Sequence, residues 1–170
     1  MNKMQRLEIV PAIAEDVSLI LDLIRELAEY EKRGDQVVAS EETLRGALFG
    51  ERPAAEVIFA RIAGDTVGFA LFFHNFSTFL GRQGIWLEDL FVRPAWRGRG
   101  IGRRLLAHLA GLAVERDCGR LEWWVLDWNE DAIGFYRRLG AVAMSEWTVQ
   151  RVTGEALRRL ASKEHAKPSA

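Results

Sequence analysis

The stretch from Ile85 to Leu126 limits the folds open to this chain more than any other. Ile85 to Val92 reads as a strand, apolar apart from Glu88-Asp89, and Arg93-Pro94 ends it, because proline has no amide to give to a ladder. A loop of glycine and arginine leads into a helix whose Ile101, Leu105, Leu109, Leu112 and Ala113 share one face. Leu121 to Leu126 then reads as a strand again. Strand, helix and strand in this order make a parallel crossover at the centre of a sheet.

The flanking segments extend that sheet. Leu7 to Val10 is a short strand stopped by Pro11, and from Val17 the positions Val17, Ile20, Leu21, Ile24, Leu27 and Ala28 give a helix one apolar face. Ser40-Glu41-Glu42-Thr43 is an N-cap with an acidic first turn, opening a second helix that ends near Gly50, with residues 34–39 as a loop. Val57 to Ile62 and Thr66 to Phe76 are β-rich runs around a hairpin turn assigned to Gly64-Asp65. Asn129 caps a short helix that runs to Leu139 and is broken by Gly140, and a terminal strand is expected near Thr148 to Val152. The expected fold is α/β, a mixed central sheet of about six to seven strands flanked by about four helices. No repeat, low-complexity tract or linker divides the 170 residues, so one domain is expected, with a loose polar tail from about Ser162 to Ala170.

Composition narrows the function. Lys and Arg total 23 against 24 Asp and Glu, a net charge of −1, which lacks the basic excess needed to grip nucleic acid or an anionic membrane. A chain 49% hydrophobic and 28% charged is globular rather than disordered. Cys118 is the single cysteine and the histidines are His74, His108 and His165, so neither an internal disulfide nor a metal site is expected. Cys118 itself reads as a small buried hydrophobe near a helix end. Met1 to Pro11 contains no apolar signal core, and the longest apolar stretch, Val67 to Phe73, is far short of a membrane span. A soluble, cytoplasmic protein is expected.

Chemistry concentrates between Arg93 and Arg104. The segment holds five arginines and no acid, and Gly98, Gly100 and Gly102 at alternate positions let backbone amides approach an oxygen-rich ligand. The helix that follows aims its positive N-terminus at the same place, which suits phosphate or pyrophosphate. A Walker A loop is excluded because no Gly-Lys-Ser/Thr follows, and a dinucleotide fingerprint because Arg103 stands where its third glycine would be. What remains is Arg97-x-x-Gly100-x-Gly102 between a strand and a helix.

That pattern resembles the coenzyme A pyrophosphate loop of the GNAT superfamily of N-acyltransferases. The resemblance extends to Glu88-Asp89-Leu90-Phe91-Val92 before the loop, to Asp127-Trp128-Asn129-Glu130 and Phe135-Tyr136-Arg137-Arg138-Leu139-Gly140 after it, and to Glu26-Leu27-Ala28-Glu29-Tyr30-Glu31 upstream. Together these resemble the spermidine/spermine (diamine) N-acetyltransferase subgroup over residues 7–161. The resemblance implies that the peptide groups of Leu90, Phe91 and Val92 hold the pantetheine arm of acetyl-CoA. Arg97, Gly98, Arg99, Gly100, Ile101, Gly102 and Arg103 would hold its pyrophosphate, and Asn129, Glu130, Asp131 and Ala132 would lie along the coenzyme. It also implies that Tyr136 is the general acid, that Glu88 is the base, acting through water, and that the enzyme is a homodimer without a metal.

The acceptor is a matter of charge. An alkyl amine of pKa near 10.4 is neutral in only about one molecule in 2,500 at pH 7, so a carboxylate that accepts its proton assists attack. By resemblance, Tyr30, Glu31, Ser77, Glu88, Asp89, Asp127, Trp128 and Trp147 are the substrate-binding candidates, combining carboxylates with aromatic faces that suit an alkylammonium. Polyamine-type members carry an acid at the position of Ser77. The Ser77-Thr78 pair and Leu126-Asp127-Trp128-Asn129 are closer to the thialysine N-ε-acetyltransferase branch, which implies a thialysine or lysine-like amine ahead of diamines and polyamines. Two alternatives stay open: N-terminal acetylation of peptides or proteins, and a non-catalytic acyl-CoA-binding module.

Overall fold

In the computed structural model, which describes residues 6–163, five strands lie side by side in chain order. They are β1 (Leu7–Pro11), β2 (Glu56–Ile62), β3 (Asp65–Ser77), β4 (Arg82–Val92) and β5 (Leu121–Trp123). The first four form an antiparallel meander, and β5 joins β4 in parallel after a crossover through α3 (Ile101–Glu115). The described residues separate into two compact units, 6–124 and 125–163. The first contains the whole sheet with α1 (Val17–Tyr30), α2 (Glu41–Phe49) and α3, and the second contains α4 (Glu130–Arg138) and α5 (Gly154–Lys163).

Val57 to Ala60 and Thr66 to Ala70 are buried at every position, the mark of strands covered on both faces. On one face, Ile20, Leu23, Leu27 and Leu48 of α1 and α2 pack with Val57, Phe59, Phe69 and Phe91. On the other, α3 packs against the sheet with Ile101, Leu105, Leu106, Leu109 and Ala113 buried. Ser40 caps α2 as its sequence requires: its Oγ accepts from the Thr43 amide at 3.2 Å, while Thr43 Oγ1 accepts from the Ser40 amide at 2.9 Å. The loop expected at 34–39 includes a 3₁₀ turn at Gly34–Gln36.

Several sequence expectations need correction. Ile62 pairs with Asp65, so the hairpin turn is Ala63-Gly64, one residue earlier than expected, with φ of +53° and +91° at its two positions. β5 has three residues instead of six, because it pairs with Ile85 to Leu87 and β4 is interrupted at Glu88. Thr148 to Val152 makes no strand; its apolar Val149 and Val152 are about half exposed and have no sheet face to bury. The count among the described residues is therefore five strands and five α-helices. The expected loose tail begins inside α5, and residues 164–170 lie outside the described residues. Cys118 is half-buried rather than buried, just beyond the α3 C-cap at Arg116. Among the described residues no helix is long and apolar enough to cross a membrane.

Leu23 is fully buried between α1 and the sheet. Leu23→Ala is expected to lower the unfolding free energy by about 2–5 kcal/mol through lost transfer energy and a residual cavity. Equilibrium denaturation measures this, and a loss below about 1 kcal/mol would contradict the packing described.

Candidate active site

β4 does not keep its register. Leu87 pairs with Phe72 and Asp89 with the next residue back, Leu71, which leaves Glu88 as an extra residue, a β-bulge. The consequence is a change of face. Without the bulge Leu87 and Asp89 would share a face; with it, Leu87 stands opposite buried Phe72 and Asp89 stands opposite Leu71, on the side of α1 and α2. Trp86, opposite Phe73, shares that side, and its Nε1 donates to Glu88 Oε2 at 2.9 Å.

Three carboxylates therefore gather where α1 ends. Burial, then the charge of Glu88, then that of Glu31 push the Asp89 carboxyl up to about 7. Burial also raises the Glu31 carboxyl, with Arg33 pulling it back. Glu88 is exposed and Asp89 half-buried. Such a group attracts a cation and has room to take up a proton near neutral pH.

The Gly/Arg loop is fixed to the same region. Arg93 is clamped to Glu26 of α1 through Nη2 at 2.7 Å and donates Nη1 to the Thr66 carbonyl at 2.9 Å. Arg97 donates Nε to the Val92 carbonyl at 2.9 Å, and its guanidinium lies 4.3 Å from the Tyr30 ring centre and 5.6 Å from that of Phe91. Arg99 lies over Trp96 at 4.8 Å. Gly98 and Gly100 have φ of +75° and +77°, which is why glycine is needed there. Gly100 caps α3 without a side-chain bond, so the amides of Ile101, Gly102 and Arg103 face outward from the first turn. This cradle fits an anion such as a pyrophosphate. Leu90 and Val92 are half-buried and Phe91 is buried at the strand end leading into it.

The second unit carries the remaining candidates. Asn129 caps α4, its Oδ1 accepting from the Ala132 amide at 3.3 Å, with Glu130 and Asp131 in the first turn. Tyr136 is half-buried, its ring 5.3 Å from that of Phe135. Asp127, Trp128 and Trp147 are exposed.

Ser77 stands apart. It is buried, accepts from the Leu80 amide at 3.2 Å, and pairs with Arg82 at the far end of β4. Six residues of strand lie between Arg82 and Asp89, roughly 20 Å, so Ser77 shapes the β3–β4 turn and does not meet the acids. A cleft of about 350 Å³ lined by Pro11, Leu48, Phe72, His108 and Arg116 holds none of the site candidates. Among the described residues no cluster of three or more His, Cys, Asp or Glu is placed to hold a metal ion. Sequence reasoning missed Trp86; its spacing of two from Glu88 on a strand was the available signal.

A sequence model of the Acetyltransferase (GNAT) family matches residues 21–141, across the boundary of the two units. Thialysine N-epsilon-acetyltransferase of Bos taurus is 43% identical over 159 residues, covering 87% of this chain and 93% of that protein. L-ornithine N5-acetyltransferase of Arabidopsis thaliana is 33% identical over 194 residues, covering 88% of this chain and 85% of that protein. Among solved structures, an integron cassette protein from the mobile metagenome of V. cholerae superposes with a TM-score of 0.78 at 31% identity, covering 91% of this chain and 97% of that one. The glycine-rich cradle before α3 and these likenesses agree, and the chain belongs to the GNAT family of acetyltransferases.

Proposed function

We propose that the protein transfers an acetyl group from acetyl-CoA to the primary amine of a small cationic metabolite, a thialysine or lysine-like amine ahead of diamines and polyamines. The observation that carries the reading is the gathering of Glu31, Glu88 and Asp89 beside a loop built for an anion. The names of the similar proteins, acting on thialysine and L-ornithine, support the same substrate class.

Acetyl-CoA supplies the activated acetyl thioester. The amine nitrogen attacks its carbonyl carbon, a C–N bond forms and the C–S bond breaks. Before attack the ammonium gives one proton through water to Glu88, which later returns it to solvent; as the C–S bond breaks, the departing sulfur receives a proton from Tyr136, and the second nitrogen proton passes through water to the Tyr136 phenolate and restores it. A thiolate of pKa about 8.5 leaves more readily once protonated, which is the service a phenol can render. Attack is direct, in a ternary complex, so no nucleophilic side chain is needed. Asp89 and Glu31 draw in the cation, and Tyr30, one face of which carries the Arg97 guanidinium, offers it the other face. Leu90 to Val92, residues 97–103 and residues 129–132 hold the coenzyme. Asp127, Trp128 and Trp147 complete the substrate set, a homodimer is the assembly, and the cytoplasm is the setting.

Tyr136→Phe is expected to lower kcat by about 10²–10⁴-fold while acetyl-CoA binding is kept. Steady-state kinetics beside calorimetric titration of acetyl-CoA separate the two, and unchanged turnover would remove Tyr136 from the chemistry.

Asp89 gives a pH signature in activity and in stability. Its carboxyl titrates near 7 in the folded chain against an ordinary value of 3.8. The stability tied to its protonated form is complete below about pH 4 and is lost as pH rises through about 7. Asp89→Asn should therefore raise Tm at pH 8 and leave it unchanged near pH 4. The same variant should lose the limb of kcat/KM that rises through pH 7 in the parent enzyme. A lower Tm at pH 8, or a retained limb, would contradict the environment assigned to Asp89.

A further inference from the structure

We propose that Trp86 is a positioning residue that holds the Glu88 carboxylate in place to receive the amine proton; this rests on the proton-accepting role given to Glu88 above. The indole is itself held on two sides. Trp124 meets it edge-on, with ring centres 5.0 Å apart at 84°, and Phe73 of β3 lies 6.4 Å away at 36°. From that fixed ring Nε1 donates to Glu88 Oε2 at 2.9 Å.

Glu88 needs such a hold. As the extra residue of the bulge it has no partner on β3, and it is exposed. Its charged neighbours on this side are Asp89 beside it and Glu31 at the end of α1, with Arg33 next to Glu31. Mutual repulsion of three carboxylates drives the exposed one outward, and a glutamate has several torsions through which to leave. One N–H donor on Oε2 opposes that movement and leaves Oε1 for water. An indole N–H donates only, so it cannot take the proton itself.

Trp86→Phe keeps a ring against Trp124 and Phe73 and deletes the donor. The expected result is a loss of about three- to tenfold in kcat with KM for acetyl-CoA unchanged. Trp86→Tyr, which restores an O–H donor on a ring, should recover most of that loss. In a Glu88→Ala background Trp86→Phe should cost nothing further. Intact turnover in Glu88→Ala alone would overturn the role of Glu88 and the proposal with it. A slow Glu88→Ala enzyme in which Trp86→Phe costs as much as in the parent would overturn the positioning role alone, as would a parent enzyme indifferent to Trp86→Phe.

Discussion

One extra residue in β4 governs the site. Glu88 has no partner across the ladder, and by occupying that place it sets Asp89 on the opposite face of the sheet from Leu87. The apolar core keeps Leu87, while the acid is delivered to the end of α1, where Glu31 waits. The same interruption ends the pairing of β5 with β4 at Leu87, so β4 from Glu88 to Val92 runs on toward the loop without a parallel neighbour. A bulge costs ladder hydrogen bonds; here the packing of both sheet faces offsets that cost and makes the irregular strand stable.

Charge is organised around this point. A net charge of −1 hides an acidic cluster at Glu31, Glu88 and Asp89 and an arginine-rich segment that begins only four residues beyond Asp89, at Arg93. The arginines do not act as one patch. Arg93 is committed to Glu26 and the Thr66 carbonyl, and Arg97 to Val92 and the faces of Tyr30 and Phe91. These two tie the loop to α1 and β4, and the glycines with positive φ and the first amides of α3 form the cradle. Backbone amides on a fixed loop lose little entropy when an anion arrives, an advantage long, exposed arginine side chains do not share.

Much of this was legible in the sequence. Apolar periodicity locates α1 and α3, a capping sequence locates α2, and β-rich runs locate β2, β3 and β4, each to within a few residues of its observed bounds. The N-caps Ser40 and Asn129 were read correctly because a side-chain oxygen answers a local need. The turn at Ala63-Gly64 was misplaced because only one of its two left-handed positions is a glycine. The strand expected at Thr148 to Val152 does not form, because Val149 and Val152 are about half exposed and no burial holds the segment in a sheet. Bulges leave little trace in a sequence: nothing in Trp86-Leu87-Glu88-Asp89 says that the register slips there, so the placing of Asp89 beside Glu31 had to come from the structure. Nor does the sequence show that the Ser77 hydroxyl accepts from the Leu80 amide within its own turn.

The most direct measurement is acetyl-CoA consumption by the purified protein with thialysine, lysine, putrescine, spermidine and a short peptide offered separately. Turnover of the small cationic amines, with the highest kcat/KM for thialysine or lysine, is the result predicted for an acidic cluster beside this glycine-rich loop. Turnover of the peptide alone, or of none of the five, would contradict acetyl transfer to a small amine.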